Sequence, residues 1–114
     1  MCDAGLKRAE GQPASREREI LVSKFKNSLA YYYAETGTPE YEGRARKYVD
    51  EALAIRPDET ACLDTKAYVK IVYGKDRGEV MEGVTLAEDA RRKSMENEFY
   101  FKHIEKARRR LASL

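Results

Sequence analysis

An all-α fold of antiparallel helices is what this sequence predicts, and three observations carry the prediction. Apolar residues recur at spacings of three and four along five successive stretches, the pattern of amphipathic helices. Residues that start and stop helices stand between those stretches. No segment keeps the apolar–polar alternation of a half-buried strand.

Residues 1–14 carry Gly5, Gly11 and Pro13 with few apolar groups and read as a flexible tail, leaving 15–114 as one helical domain. Ser15 is placed to cap a first helix, with Glu17 and Glu19 in the first turn, where the helix dipole favours acids. Leu21, Phe25, Leu29, Tyr32 and Tyr33 mark its apolar stripe, and Gly37 suits the left-handed position past its end. Thr38-Pro39 restarts the chain as cap and first helical residue. Tyr41, Ala45, Tyr48, Val49, Ala52, Leu53 and Ile55 follow, until Arg56-Pro57 ends the second helix.

Asp58 is expected to cap the third helix, whose apolar positions include Ala61, Ala67, Tyr68, Ile71 and Val72 and which closes at Gly74. A fourth helix spans about 77–92 on Val80, Val84, Leu86, Ala87 and Ala90. Gly78 and Gly83 weaken it by about 1 kcal/mol each relative to Ala. Ser94 is expected to cap a fifth, from Met95 to about Ala112, lined by Phe101, Ile104, Ala107 and Leu111. Arg108, Arg109 and Arg110 complement its C-terminal end.

The stretch AYYYAETG, residues 30–37, sets three tyrosines about 100° apart around one helix, so they cannot share one core. Tyr32 and Tyr33 are expected between helices. Tyr31 is left for another task.

Of the 114 residues, 42% are hydrophobic and 37% charged, and 22 Lys and Arg against 20 Asp and Glu leave a net charge of +2. Nothing in that balance demands nucleic acid or an acidic partner. No apolar run approaches the roughly 18 residues of a membrane span, and the first residues lack a secretory leader's apolar stretch. Two cysteines, no CxxC and the single His103 offer no zinc site. Reduced thiols in a cytoplasm fit this pattern.

The sequence repeats internally. AYYYAETG aligns with AYVKIVYG, residues 67–74, at an offset of 37: Ala30 with Ala67, Tyr31 with Tyr68, Gly37 with Gly74. In the following helices Ala45, Val49 and Ala52 align with Val80, Val84 and Ala87 at an offset of 35. A helix–turn–helix unit of about this length resembles the tetratricopeptide repeat. Leu29, Ala30, Tyr33, Gly37, Ala45, Val49, Ala52 and Pro57 carry that family's pattern in the first unit. ALAIRPDE, residues 52–59, looks like its junction between units. The second unit departs from it, with Lys66 for the usual Leu, Lys70 for the usual Tyr, and no closing proline.

The resemblance covers about residues 24–90. It implies two stacked hairpins in a right-handed α–α superhelix, with the fifth helix capping the stack or serving as half of a third unit. It also implies an adaptor or scaffold that binds another protein or peptide on a concave face formed by the first and third helices. Candidate residues there are Lys24, Asn27, Tyr31, Lys66, Tyr68 and Lys70. Lysine and asparagine on the inner face of such repeats suit an acidic partner or a terminal carboxylate, by charge-assisted bonds. Solvated lysines, and a Tyr31 that merely covers a core edge, are the plainer readings.

Two alternatives stand beside the adaptor. Phe99, Tyr100 and Phe101 also point three ways, which suits self-association through the fifth helix. Arg91-Arg92-Lys93 and Arg108-Arg109-Arg110 suit phosphates, but no aromatic platform alternates with them as in a nucleic-acid module. Catalysis has little to stand on. His103 sits among lysines and reads as solvated, Asp64, Glu35 and Glu51 read as isolated surface acids, and Cys62 reads as an inert buried thiol. GKDRGE, residues 74–79, lacks phosphate-loop spacing and reads as a turn. No cofactor or metal is expected.

Overall fold

The computed structural model describes residues 16–93 and 100–114. Its helices are α1 (Arg16–Thr36), α2 (Glu42–Ile55), α3 (Thr60–Tyr73), α4 (Arg77–Lys93) and α5 (Tyr100–Ser113), with one 3₁₀ turn (Pro39–Tyr41) ahead of α2. Among the described residues there is no strand, and no helix is long and apolar enough to cross a membrane. The all-α expectation holds. The expected tail 1–14, the caps at Ser15 and Ser94, and Met95 and Phe99 lie outside the described residues.

The helix ends follow the local chemistry, with two changes. Gly37 takes the left-handed conformation, φ 64°, and its N–H meets the carbonyls of Tyr33 at 3.2 Å and Ala34 at 3.1 Å, closing α1 as a glycine end does. Thr38 is extended before Pro39, yet its side chain makes no capping bond. The α3 cap is Glu59 and not Asp58: the Glu59 carboxylate accepts from the Ala61 N–H at 3.5 Å. Arg56 is the reason, because it holds Glu59 in an ion pair at the helix start. Gly74 ends α3 without a left-handed turn (φ −55°, ψ 133°). A side chain there would lie 2.4 Å from the Lys70 carbonyl and 2.8 Å from Val80 Cγ2, so close packing explains this glycine.

α1 packs on α2 and α3, and α3 packs on α2, α4 and α5, while α4 also packs on α5. One core lies among α1, α2 and α3, around Leu29, Tyr33, Val49 and Val69. A smaller one lies among α3, α4 and α5, where Ile71, Val80 and Ala107 meet half-buried Val84 and Leu111. Small residues, Ala30, Ala45, Ala52 and Ala67, are fully buried, and they let helix axes approach within about 8–10 Å. Tyr33 packs its ring at a tilt against Tyr41 and stacks on Tyr48, with centroids 4.6 and 6.3 Å away. Tyr73 ties the end of α3 to the end of α1, its hydroxyl lying 2.8 Å from the Thr38 carbonyl and 3.0 Å from that of Tyr33. Arg46 of α2 bridges to α4, bonding both Glu79 oxygens at 2.7 and 3.2 Å and the Tyr73 carbonyl at 3.0 Å.

Several side chains sit elsewhere than their spacing suggests. Tyr32, expected between helices, is 57% exposed, because Tyr33 already fills the α1–α2 seam. Phe101 is 66% exposed and does not line the inner side of α5. Val84 is half-buried, and Gly83 takes the buried place beside α3. A Cβ on Gly83 would stand 2.8 Å from the Ala67 carbonyl oxygen and 2.8 Å from Ile71 Cγ1. The glycine that weakens an isolated helix thus permits this crossing. Arg110 serves another helix than its own: its guanidinium meets the carbonyls of Ile71 (3.2 Å), Val72 (2.7 Å) and Gly74 (2.9 Å), the orphaned acceptors at the end of α3. Arg77 in turn donates to the Leu111 carbonyl at 2.6 Å.

Two glycine substitutions separate these effects. Gly83→Ala lowers unfolding stability by about 1–3 kcal/mol, the usual cost of overpacking. Gly43→Ala on α2, whose added Cβ meets nothing within 4 Å, is neutral or gains up to about 1 kcal/mol. Urea melts of the two variants check this, and equal midpoints contradict the close crossing.

Candidate functional site

Among the described residues, rings and charges gather where α1, α3 and α5 converge. Tyr31 and Tyr68, equivalent in the repeat, come together with ring centroids 5.3 Å apart. His103 of α5 stacks on Tyr68 at 4.1 Å with the planes 15° apart, and its centroid lies 5.9 Å from that of Tyr31. Offset and tilted rings at such distances attract beyond their buried area. The imidazole is 0% exposed. Its Nδ1 stands 3.3 Å from an Asp64 carboxylate oxygen, and its Nε2 lies 3.5 Å from the Tyr31 hydroxyl.

A second layer of charge surrounds the rings. The Tyr68 hydroxyl donates to Glu35 at 2.7 Å, and the Lys102 ammonium pairs with the other oxygen of the same carboxylate. Burial pushes the Tyr68 hydroxyl well above the usual tyrosine value, and the Glu35 carboxylate raises it further by accepting a hydrogen bond from the protonated hydroxyl and by its charge. Burial also raises Tyr31, with Glu35 again adding to the effect. For Glu35 burial acts upward, but the bonds from Lys102 and Tyr68 outweigh it and hold the carboxyl below its ordinary range. Lys102 is raised by its bond to Glu35.

The expected peptide-binding residues divide into two groups, and the expected self-association residues form a third. Tyr31 and Tyr68 meet, with Tyr68 buried and Tyr31 half-buried. Lys24 is exposed on α1, and half-buried Asn27 has an amide oxygen with no hydrogen-bond partner among the described residues. Lys66 and Lys70 turn to the other flank of α3, where Lys66 meets Asp50 of α2 at 2.9 Å and Lys70 meets Glu82 of α4 at 3.0 Å. They line a small cleft with Arg46, Val49, Asp50 and Val69. Of the three aromatics at the start of α5, Phe99 lies outside the described residues. Tyr100 and Phe101 share the Arg91 guanidinium, 4.6 and 4.7 Å from their centroids.

Two sequence readings are overturned here. His103 is not solvated, because it faces inward while its lysine neighbours face out. Asp64 is not a surface acid: it is 7% exposed and opposes His103. The signal for His103 was present in the spacing, since it follows Tyr68 by about the interval that separates Tyr68 from Tyr31. Cys62 is buried as expected; burial raises its thiol pKa, and the Ser23 hydroxyl lies 4.0 Å away.

The network joins α5 to both hairpins by rings, one ion pair and one imidazole–carboxylate contact. A scan of protein-family models finds no match to this chain, and searches of curated proteins and of solved structures find none either.

The stability contributed by Tyr68 is whole below about pH 10, its ordinary value, and fades as pH climbs past it, because only the unfolded chain ionises there readily. The contribution of Glu35 runs the other way: it is whole above about pH 4.5 and fades as pH falls. Tyr68→Phe is expected to lose about 1 kcal/mol at neutral pH and to flatten the alkaline limb of a stability–pH profile. An alkaline limb unchanged from the parent chain contradicts the Tyr68–Glu35 bond.

Proposed function

We propose that this chain is a non-catalytic adaptor that binds a segment of another protein on the face shared by α1 and α3, with α5 as one wall. The observation that carries the reading is the meeting of Tyr31 and Tyr68, equivalent positions of two hairpins, on a face that also presents Lys24 and Asn27. The order of packing supports a stacked-repeat architecture: each hairpin pairs internally, and α3 lies against both helices of the first hairpin. This is the arrangement expected of tetratricopeptide-like units, in which each unit contacts its neighbour.

The face is polarised along α1. Lys24 stands seven residues before Tyr31, about 10 Å along the helix, and Glu35 stands one turn beyond it. An acidic group or terminal carboxylate on the partner meets Lys24 and the Asn27 amide, while Tyr31 supplies ring surface. His103 has no exposed edge, and a general base must come within about 3 Å of the proton it takes; this favours binding over catalysis. The outer side of α5 presents Lys106, Arg108 and Arg109, a polar surface suited to capping a stack. We place this adaptor in the cytoplasm.

The test is partner recovery by affinity purification and mass spectrometry. Lys24→Glu is expected to lower recovery severalfold while moving stability by no more than about 0.5 kcal/mol, as surface changes do. The same partners at the same yield from Lys24→Glu and from Tyr31→Ala remove the adaptor reading.

A further inference from the structure

The internal repeat lets one surface of the first hairpin be judged by its counterpart in the second. At the offset of 37, Phe25, Ser28 and Tyr32 of α1 align with Cys62, Thr65 and Val69 of α3. Those α3 residues lie three and four apart, on one stripe, and are 2%, 3% and 2% exposed. The first hairpin covers them. Cys62 lies 4.0 Å from Ser23 of α1, and Val69 belongs to the core shared with α1 and α2. Tyr73, one turn on, bonds to the end of α1.

Among the described residues, no helix stands in the same place ahead of α1. Tyr32 and Ser28 are exposed there, and Leu21 and Phe25 are half-buried. This stripe faces away from the repeat that follows. Ser23 meets α3, and Tyr32 lies nine residues on, half a circle around the helix. Leu21, Phe25, Ser28 and Tyr32 recur at four, three and four, the spacing of the seam in knobs-into-holes helix pairs.

We propose that this stripe joins two copies of the chain, with α1 antiparallel to α1 of the second copy about a two-fold axis. Such a pairing sets Leu21 against Tyr32 of the second copy, and Phe25 against Ser28 of the second copy. The small Ser28 makes room for each Phe25 ring.

The two ends of the stack select a second copy paired in this way. A repeat stack needs a polar outer face at each end. The α5 end has one in Lys106, Arg108 and Arg109, whereas the α1 end carries two rings and a leucine. Head-to-tail stacking would press that apolar stripe onto the charged side of α5, where Phe101 alone offers a ring. A two-fold contact sets the stripe against itself and closes the assembly at two copies. The dimer then presents two adaptor faces, which raises avidity for a partner with two binding segments. The pairing itself does not rest on the adaptor reading.

Sedimentation equilibrium of the full chain, from about 1 μM to about 1 mM, tests this. The parent chain is expected to pass from one copy to two across that range. Tyr32→Glu and Ser28→Glu each place a charge in the seam of both copies and are expected to weaken pairing at least about tenfold. Both positions are exposed in the single copy, so circular dichroism is expected to show unchanged helix content. Should either glutamate variant unfold, Tyr32→Ser removes the ring without adding charge and is read in the same way. Phe101→Glu, on α5, is expected to leave pairing unchanged.

A chain that remains a single copy throughout overturns the proposal, whether residues 1–15 or another protein covers the stripe. So does a dimer that survives both Tyr32→Glu and Ser28→Glu. A dimer broken by Phe101→Glu also overturns it, because the contact then lies on α5.

Discussion

The burial of α3 is the constraint on which the rest depends. This helix faces α1, α2, α4 and α5 at once, and eight of its residues are buried: Cys62, Asp64, Thr65, Ala67, Tyr68, Val69, Ile71 and Tyr73. A helix enclosed on so many sides cannot be wholly apolar in this sequence, so its polar groups need partners inside. Thr65 turns back to the Ala61 carbonyl at 2.9 Å, and the hydroxyls of Tyr68 and Tyr73 reach into the first hairpin, while Asp64 faces His103 Nδ1 at 3.3 Å without hydrogen-bond geometry. Its last carbonyls are met by an arginine from α5. The architecture is thus a set of solutions to one problem, the polar content of a central helix.

That problem explains why the two hairpins are joined by hydroxyls and guanidinium groups as much as by methyl groups. Arg46 lies between Glu42 and Glu79, whose bonds raise its pKa above the ordinary arginine value, and it brings α2 against the start of α4. Glu79 is held low chiefly by that same arginine. Such partly exposed pairs add little energy singly, but a fork of several bonds fixes direction. The aromatic cluster around Tyr33 and the rings around Tyr68 then lie on opposite sides of α1, one between α1 and α2 and one where α1 meets α3 and α5. The tyrosine triplet has three separate duties: Tyr33 fills a seam, Tyr31 joins two units, and Tyr32 faces solvent.

Much of the fold was legible because its signals are local. Apolar spacing gave five helices, and Gly37, Pro39, Pro57 and Gly74 gave their borders to within a few residues. Misreadings arose where a tertiary contact overrides a local preference. Val84 fits the four-then-three rhythm of the repeat, but the close approach of α4 to α3 needs no side chain, and Gly83 supplies that. Asp58 is the better isolated cap, yet Arg56 orients Glu59. His103 looks solvated because its neighbours are lysines, whereas burial follows helix face and not neighbourhood. For the candidate site, Tyr31 and Tyr68 were found by repeat alignment, while Asp64, Glu35 and Lys102 carry no local mark. Lys66 and Lys70 share a helix with Tyr68 but lie on another flank, a distinction that the repeat alignment alone did not draw.

Native-state hydrogen exchange, resolved by residue, tests the central role of α3 most directly. The buried amides of α3 are expected to exchange only through global unfolding, with a denaturant dependence matching the full transition. Amides of α5 should open through a smaller, separate event. Exchange of α3 at lower free energy than α1 and α2, or one shared opening for all five helices, contradicts this account.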